Sequence, residues 1–351
     1  MNAPAGLPET MLSARVHGPR NVRLDEIAVP APGPGEALVR IGACGICGSD
    51  LGYIAQGGLG GVEPLKAPLP IGHECAGTVL AVGGGVRGVS PGMRVAINPD
   101  RAYIGGGGPD GAMAPFMRVQ GAEIGETLFA LPDGLSFAHA SLAEPLSVGL
   151  HGLRVTNACA SDRIAIIGAG PIGLCTLVMA QHLGARDIAI LDRVPERLER
   201  ARALGAGLAI NVAEKSLPDA LGRFHGAGER FGAPFVGTDV FVDCAGSAAA
   251  LAEVVSVAKY RARICVIALH HKPLALDLWR VMANELSLSG SIADSRAAEF
   301  GETFAMLAQG GRDLSALVSH AYDFSHFQEA LEMAADPARA AKVVLTFGEG
   351  L

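Results

Sequence analysis

Residues 164–185 read "IAIIGAGPIGLCTLVMAQHLGA". Four apolar residues lead into Gly168, Gly170 and Gly173, which stand in G-x-G-x-x-G spacing, and a long apolar segment follows. The pattern predicts a buried strand, a glycine turn and a helix that opens through Pro171 and Ile172. Gly168 would make the tight turn, Gly170 would let the backbone approach a pyrophosphate, and Gly173 would let the helix pack on the strand. Three glycines alone are weak evidence in a chain with 47 of them. Their place between strand and helix is what a dinucleotide site requires.

The next strand, "DIAILD", ends in Asp192. A carboxylate there accepts from the adenosine ribose hydroxyls and repels a 2′-phosphate, which favours NAD over NADP. Arg193 follows directly and is suited to a 2′-phosphate, so the sequence leaves NADP open. Arg197 lies one helical turn further on, where it can flank the adenosine. Beyond it "LAINV", "DVFVDCAG" and "ARICVIAL" alternate with helical stretches. That alternation implies a parallel sheet with helices on both faces.

The pattern differs upstream of about Ala143. "SARVHG", "VRLDEIAV", "ALVRIGA", "ECAGTVLAVG" and "GMRVAINP" read as short strands punctuated by glycine and proline. Val39 and Ile41 alternate with Arg40 and Gly42, a period of two. This half is expected to be a β-rich, partly closed barrel. The chain as a whole has 351 residues, enough for two domains, and is 50% hydrophobic. Its net charge is −7 with no run of Lys or Arg, which argues against nucleic acid and anionic membrane as partners. No apolar segment is long enough to span a bilayer, and the N-terminus lacks the basic start and apolar stretch of a secretory signal. Seven scattered cysteines, an odd number, fit a reduced cytoplasmic protein better than a disulfide framework.

Residues 43–50, "ACGICGSD", place Cys44 and Cys47 three apart. The spacing admits a redox pair, half of a zinc knuckle, or one metal ligand beside a buried neighbour. A thioredoxin-like pair should open a helix, whereas this one follows an alternating strand. A knuckle needs a second pair, and none is near. Further along, "PIGHECAG" contains His73 and Glu74 at the mouth of a strand, and "SLAEPLSVG" contains Glu144 where the two halves meet. Cys47, His73 and a carboxylate would supply the S, N and O ligands of an open zinc site. Taken singly, a cysteine is most often a small buried hydrophobe, and Glu144 can simply favour a helix start.

"GICGSD", "GHE", "AEPLSVGLH" and "GAGPIG" occur in the order and approximate spacing of the zinc-dependent medium-chain dehydrogenases. "KAPLPIGHECAGTV", "LPDGLSFAHASLAEPLSVGLHGLRV" and "IGAGPIGLCTLVMAQHLGA" most resemble the sorbitol (polyol) dehydrogenase branch. The resemblance implies an α/β chain. A GroES-like β-rich catalytic domain would come from residues 1–147 and 290–351, and a Rossmann doubly wound parallel-sheet domain from 148–289. It implies zinc ligation by Cys47 and His73, with Glu144 as third ligand or its water-mediated substitute. Glu74 matches the neighbouring carboxylate that binds or releases the metal, Asp50 the group that orients the histidine, and Ser49 the hydroxyl that hands on the substrate proton. Homodimers or homotetramers are implied as well, joined through the Rossmann domains.

Three departures from that pattern stand out. No cysteine lies between Cys75 and Cys159, so the four-cysteine lobe of many relatives is missing, and one catalytic zinc without a structural one is expected. Gly52 stands where many relatives end their proton relay in histidine, and Tyr53 beside it is expected to line the pocket. Ala293 and Asp294 stand where polyol enzymes usually carry an arginine. The expected function is hydride transfer from a secondary alcohol (a polyol, sugar or related polyhydroxy compound) to NAD. The alternatives are a threonine-type or simple secondary-alcohol dehydrogenase and, more remotely, a non-catalytic nucleotide-binding sensor.

Overall fold

A computed structural model describes residues 6–59, 65–270, 272–292 and 297–348. Ala293 and Asp294, singled out above, lie outside the described residues. The chain opens with strands Thr10–Gly18 (β1), Asn21–Ala28 (β2) and Glu36–Ile46 (β3), then a short helix, Gly48–Gln56 (α1). Strands Leu69–Pro70 (β4), Glu74–Val82 (β5), Arg94–Ile97 (β6), Phe116–Gln120 (β7) and Leu128–Ala130 (β8) follow. Val39 and Ile41 of β3 are fully buried and share one core cluster with Val79, Val95 and Val119. The period of two in the sequence thus marks the strand face that packs inward.

Helices Phe137–Ala140 (α2) and Ala143–Val155 (α3) lead into the glycine fingerprint. Positions 147 and 148 lie within α3, so the division expected there runs through one continuous helix. The middle of the chain then forms Ile164–Ile167 (β9), Pro171–His182 (α4), Ile188–Asp192 (β10), Pro195–Ala203 (α5), Leu208–Asn211 (β11) and Leu217–His225 (α6). A hairpin of Ala227–Arg230 (β12) and Ala233–Val236 (β13) precedes Val240–Asp243 (β14), Ala248–Val257 (α7), Arg263–Val266 (β15), Leu278–Ala283 (α8) and Ser287–Gly290 (β16). Six of these strands make one sheet in the order β11-β10-β9-β14-β15-β16, every neighbouring pair parallel. That is the doubly wound order in which the first strand of the series sits in the middle. Alternate residues serve opposite faces: Ile164 and Ile166 pack with Leu174 and Val178, Ala165 and Ile167 with Leu251 and Val254.

The chain ends with Ala297–Gln309 (α9), Val318–Asp323 (β17), Phe327–Ala334 (α10) and Lys342–Thr346 (β18). Strands β17 and β18 join N-terminal strands in a second large sheet, in the order β17-β18-β3-β5-β6-β8 with β7 also paired to β3, beside a small sheet of β2-β1-β4. The mixed fold is therefore the expected one, a β-rich part completed by the C-terminal strands plus a Rossmann-type parallel sheet.

Helix α3 couples the two parts. Its Gly149 lies so close to α4 that a Cβ there would stand 2.8 Å from Thr176 N and 2.9 Å from Thr176 Cα. At the other side Thr303 Oγ1 of α9 donates to Ala143 O at 3.0 Å, which fixes the start of α3. Gly149→Val should force α3 and α4 apart and lower the unfolding free energy by about 2 kcal/mol, the cost of overpacking a dense core. Chemical denaturation of the purified variant checks this.

Candidate metal centre and cofactor cleft

The segment after β3 does open a helix, contrary to the expectation used to set aside a redox pair. Cys47 is the N-cap residue of α1, with its side chain toward the backbone of the third helical residue, and the Asp50 carboxylate accepts from Cys47 N at 2.9 Å. This reciprocal cap starts a nine-residue helix that carries two glycines and no apolar periodicity to announce it. The redox reading fails for a different reason. Cys44 lies inside β3, fully buried, and burial together with the charges of Cys75, Asp50 and Glu74 pushes its thiol well above the usual range. A thiol held protonated in this way is neither a nucleophile nor a ligand.

Strand register brings the metal-type side chains together. Gly45 of β3 pairs with Glu74 of β5 on one side and with Val344 of β18 on the other. A Cβ on Gly45 would lie 2.1 Å from Glu74 Oε2, so only glycine lets that carboxylate fold back over β3. The donor atoms of Cys47, His73 and Glu74 all lie within 4.8 Å of one another, and this is the one such group among the described residues. Glu144, in the first turn of α3, is not one of the three. It is buried beside them, where its charge reaches His73 and Cys75.

Asp50 organises the backbone beneath this cluster. It is fully buried, and its second oxygen accepts from Gly72 N at 3.1 Å while lying 3.6 Å from His73 Nδ1. One carboxylate thereby holds the chain next to both Cys47 and His73 and leaves His73 Nε2 turned away from it. Burial disfavours the imidazolium of His73, but the charges of Asp50, Cys47 and Glu144 outweigh it and raise its pKa well above the ordinary value. On α1, Ser49 and Tyr53 stand one turn apart, and burial pushes the Tyr53 phenol up. A Cβ on Gly52, between them in sequence, would meet nothing within 4 Å.

Lys342 belongs to none of the sequence motifs. It is the first residue of β18, buried, with Nζ 2.5 Å from Glu74 Oε1 and 3.2 Å from Ile46 O. Burial works against the ammonium, but Glu74 and Cys47 outweigh it and hold its pKa above the usual lysine range. A charge at the head of the apolar run "VVL" is the only signal that marks it.

The donor set fits zinc. It offers one thiolate, one imidazole and a carboxylate, and Glu74 Oε2 is buried with no hydrogen-bond partner, as an atom reserved for a ligand would be. Cys47 and His73 are partly exposed, which leaves an open side.

The glycine turn fits a dinucleotide by the same kind of test. Gly168 has φ +100°, and a Cβ on Gly173 would lie 1.8 Å from Gly168 O. Gly170 caps α4, Pro171 and Ile172 form its first turn, and a Cβ on Gly170 would meet only the Arg197 guanidinium, at 3.5 Å. Asp192 Oδ2 accepts from Ala169 N at 2.7 Å and Oδ1 from Arg193 N at 2.7 Å and Val194 N at 3.0 Å. The Asp192 carboxylate thus braces the turn from the end of β10, with Arg197 Nη1 3.9 Å away. Arg193 is exposed.

Comparison with known proteins agrees with this geometry. Residues 33–131 match the family profile of the alcohol dehydrogenase GroES-like domain, and residues 171–309 that of the zinc-binding dehydrogenases. A sorbitol dehydrogenase of Bacillus subtilis (strain 168) is 30% identical over 348 residues, covering 93% of this chain and 94% of its own. Among solved structures, an Escherichia coli oxidoreductase/dehydrogenase of unknown specificity superposes with a TM-score of 0.85 at 26% identity, over 97% of this chain and 100% of that one. An alcohol dehydrogenase from Escherichia coli CFT073, complexed with NADH, gives 0.83 at 25% identity, over 97% and 100%. The chain belongs to the zinc-dependent medium-chain dehydrogenase family. Within it, the chain stands close to the sorbitol, or polyol, dehydrogenase branch.

Removing one partner of the buried ion pair isolates its role. Lys342→Met strands Glu74 without its counter-ion and should cost about 3 kcal/mol or more in metal-free protein. Lys342→Met combined with Glu74→Leu should recover much of that loss. Urea unfolding of the single and double variants measures both.

Proposed function

We propose that this protein oxidises a secondary alcohol, a polyol or related polyhydroxy compound, with NAD as acceptor and one zinc ion per chain held by Cys47, His73, Glu74 and Glu144. The observation that carries the proposal is the thiol, imidazole and carboxylate assembled within 4.8 Å. The similarity to sorbitol dehydrogenases supports the substrate class. The Asp192 carboxylate at the end of β10 supports NAD, because a 2′-phosphate would face its charge.

Bound zinc would supply a Lewis acid that makes the substrate hydroxyl acidic, and the bound nicotinamide would take the hydride. The chain does the rest. Ser49, one helical turn before Tyr53, accepts the hydroxyl proton as its own O–H proton passes to water. The open space at Gly52 admits water to carry that proton out, in the place of the histidine that many relatives use. Asp50 keeps Cys47 and His73 at fixed separation through their flanking backbone. The N-terminus of α4 receives the pyrophosphate, so hydride donor and acceptor meet in a fixed pose.

A homodimer or homotetramer joined through the parallel sheet is part of this reading. Strand β16 is an edge of that sheet. Around it Leu278, Trp279, Met282, Leu288 and Ile292 are exposed, an apolar concentration uncommon on a monomer. No helix among the described residues is long and apolar enough to cross a membrane.

Cys47→Ala should lose zinc and turnover while NADH still binds, and Cys44→Ala should keep its zinc. Metal analysis with NADH fluorescence titration reads both, and retained zinc in Cys47→Ala would sink the assignment. In a screen of polyols, sugars, amino alcohols and simple secondary alcohols, NADH formation should be fastest with a polyhydroxy substrate and faster with NAD than NADP. Preference for a simple alcohol would overturn the substrate class.

A further inference from the structure

Asp243 ends β14 and takes no part in the metal cluster, yet it is 2% exposed and densely bonded. Its Oδ1 accepts from Ala245 N and Gly246 N, both at 3.0 Å. Its main-chain carbonyl accepts from Ile267 N and Ala268 N, also at 3.0 Å. Oδ2 remains for His270 Nε2 at 2.6 Å. Four backbone N–H groups therefore already secure the turns after β14 and β15, and the imidazole is an addition that shaping those turns does not need.

The turn after β14 is a wall of the cofactor cleft. Cys244 N donates to Ile167 O at 2.8 Å, and a Cβ on Gly168 would lie 3.0 Å from Ala245 Cβ. A dinucleotide crosses such a sheet at its carboxyl edge, where the strand order reverses. Asp192 stands on the β10 side of the glycine turn, so the second nucleoside falls over β14 and β15, where His270 stands. The His270 side chain is 14% exposed, and no hydrogen bond of its Nδ1 is present among the described residues. With Nε2–H donated to Asp243, the tautomer this bond selects has Nδ1 as its acceptor. The nicotinamide riboside carries matching donors, the ribose hydroxyls and the carboxamide N–H.

We propose that His270 is a cofactor-contact residue, aimed by Asp243 so that its Nδ1 accepts a hydrogen bond from the nicotinamide riboside. The inference rests on the nicotinamide cofactor of the proposed function and adds a residue to it. Fluorescence titration with NADH and competition by ADP, which lacks the riboside, test it on the full-length protein. His270→Ala and His270→Leu should each weaken NADH about tenfold, the worth of one lost hydrogen bond, and leave ADP affinity unchanged. Unchanged NADH affinity in both variants would overturn the proposal. Equal weakening of NADH and ADP would overturn it too, since His270 would then only shape the turn. Wild-type protein that binds ADP but neither NADH nor NADPH would defeat the cofactor reading itself, a distinct result that takes this inference with it.

Discussion

The pair of Lys342 and Glu74, charges 2.5 Å apart inside the protein, is the contact on which the site depends. A buried carboxylate and a buried ammonium are each costly alone, and together they are tolerated only when geometry and further bonds are good. Here the geometry comes from three strands in register. Val344 pairs with Gly45, and Gly45 pairs with Glu74. The missing side chain at Gly45 lets the carboxylate cross to the lysine. The C-terminal strand thus neutralises a charge that the N-terminal part would otherwise bury without compensation. One Glu74 oxygen is satisfied by Lys342 and the other is buried without a hydrogen-bond partner, in a carboxylate grouped with Cys47 and His73.

A second constraint fixes the cleft. Helix α3 carries Glu144 in its first turn and presses Gly149 onto α4, whose N-terminus follows the glycine turn. The metal-type cluster and the dinucleotide turn are therefore set relative to each other by one helix pair with no room for a methyl group between them. Close packing of this kind transmits position across the two parts of the chain. Asp192 and Asp243 act alike on either side of the glycine turn, each spending its carboxylate on backbone N–H groups of a loop.

Much of this was legible in the sequence. The strand, the three glycines and the helix could be read because their periodicities are local and the glycine roles are steric. Cys47, His73 and Glu74 were legible only as members of a combined pattern, since nothing in their separation along the chain brings them together. What does so is the pairing of β3 with β5, a long-range register. Lys342 escaped notice for the same reason: it lies 268 positions from Glu74, and a lysine opening an apolar strand has no local signature. The helix at Gly48 was missed because it is short, glycine-bearing and started by a cysteine cap, which ordinary start signals do not include. Gly52 stands out in the sequence against the resembled pattern, but the placing of Tyr53 one turn from Ser49 depends on that helix.

In the proposed site Cys47, His73 and carboxylate hold one zinc ion, and the remaining cysteines play no part in it. X-ray absorption spectroscopy at the zinc edge, on protein reconstituted and then cleared of loosely bound metal, addresses it directly. A single sulfur scatterer is expected at about 2.3 Å, with the rest of the shell made of nitrogen and oxygen at about 2.0–2.2 Å. A shell with two or more sulfurs, or with none, would contradict it.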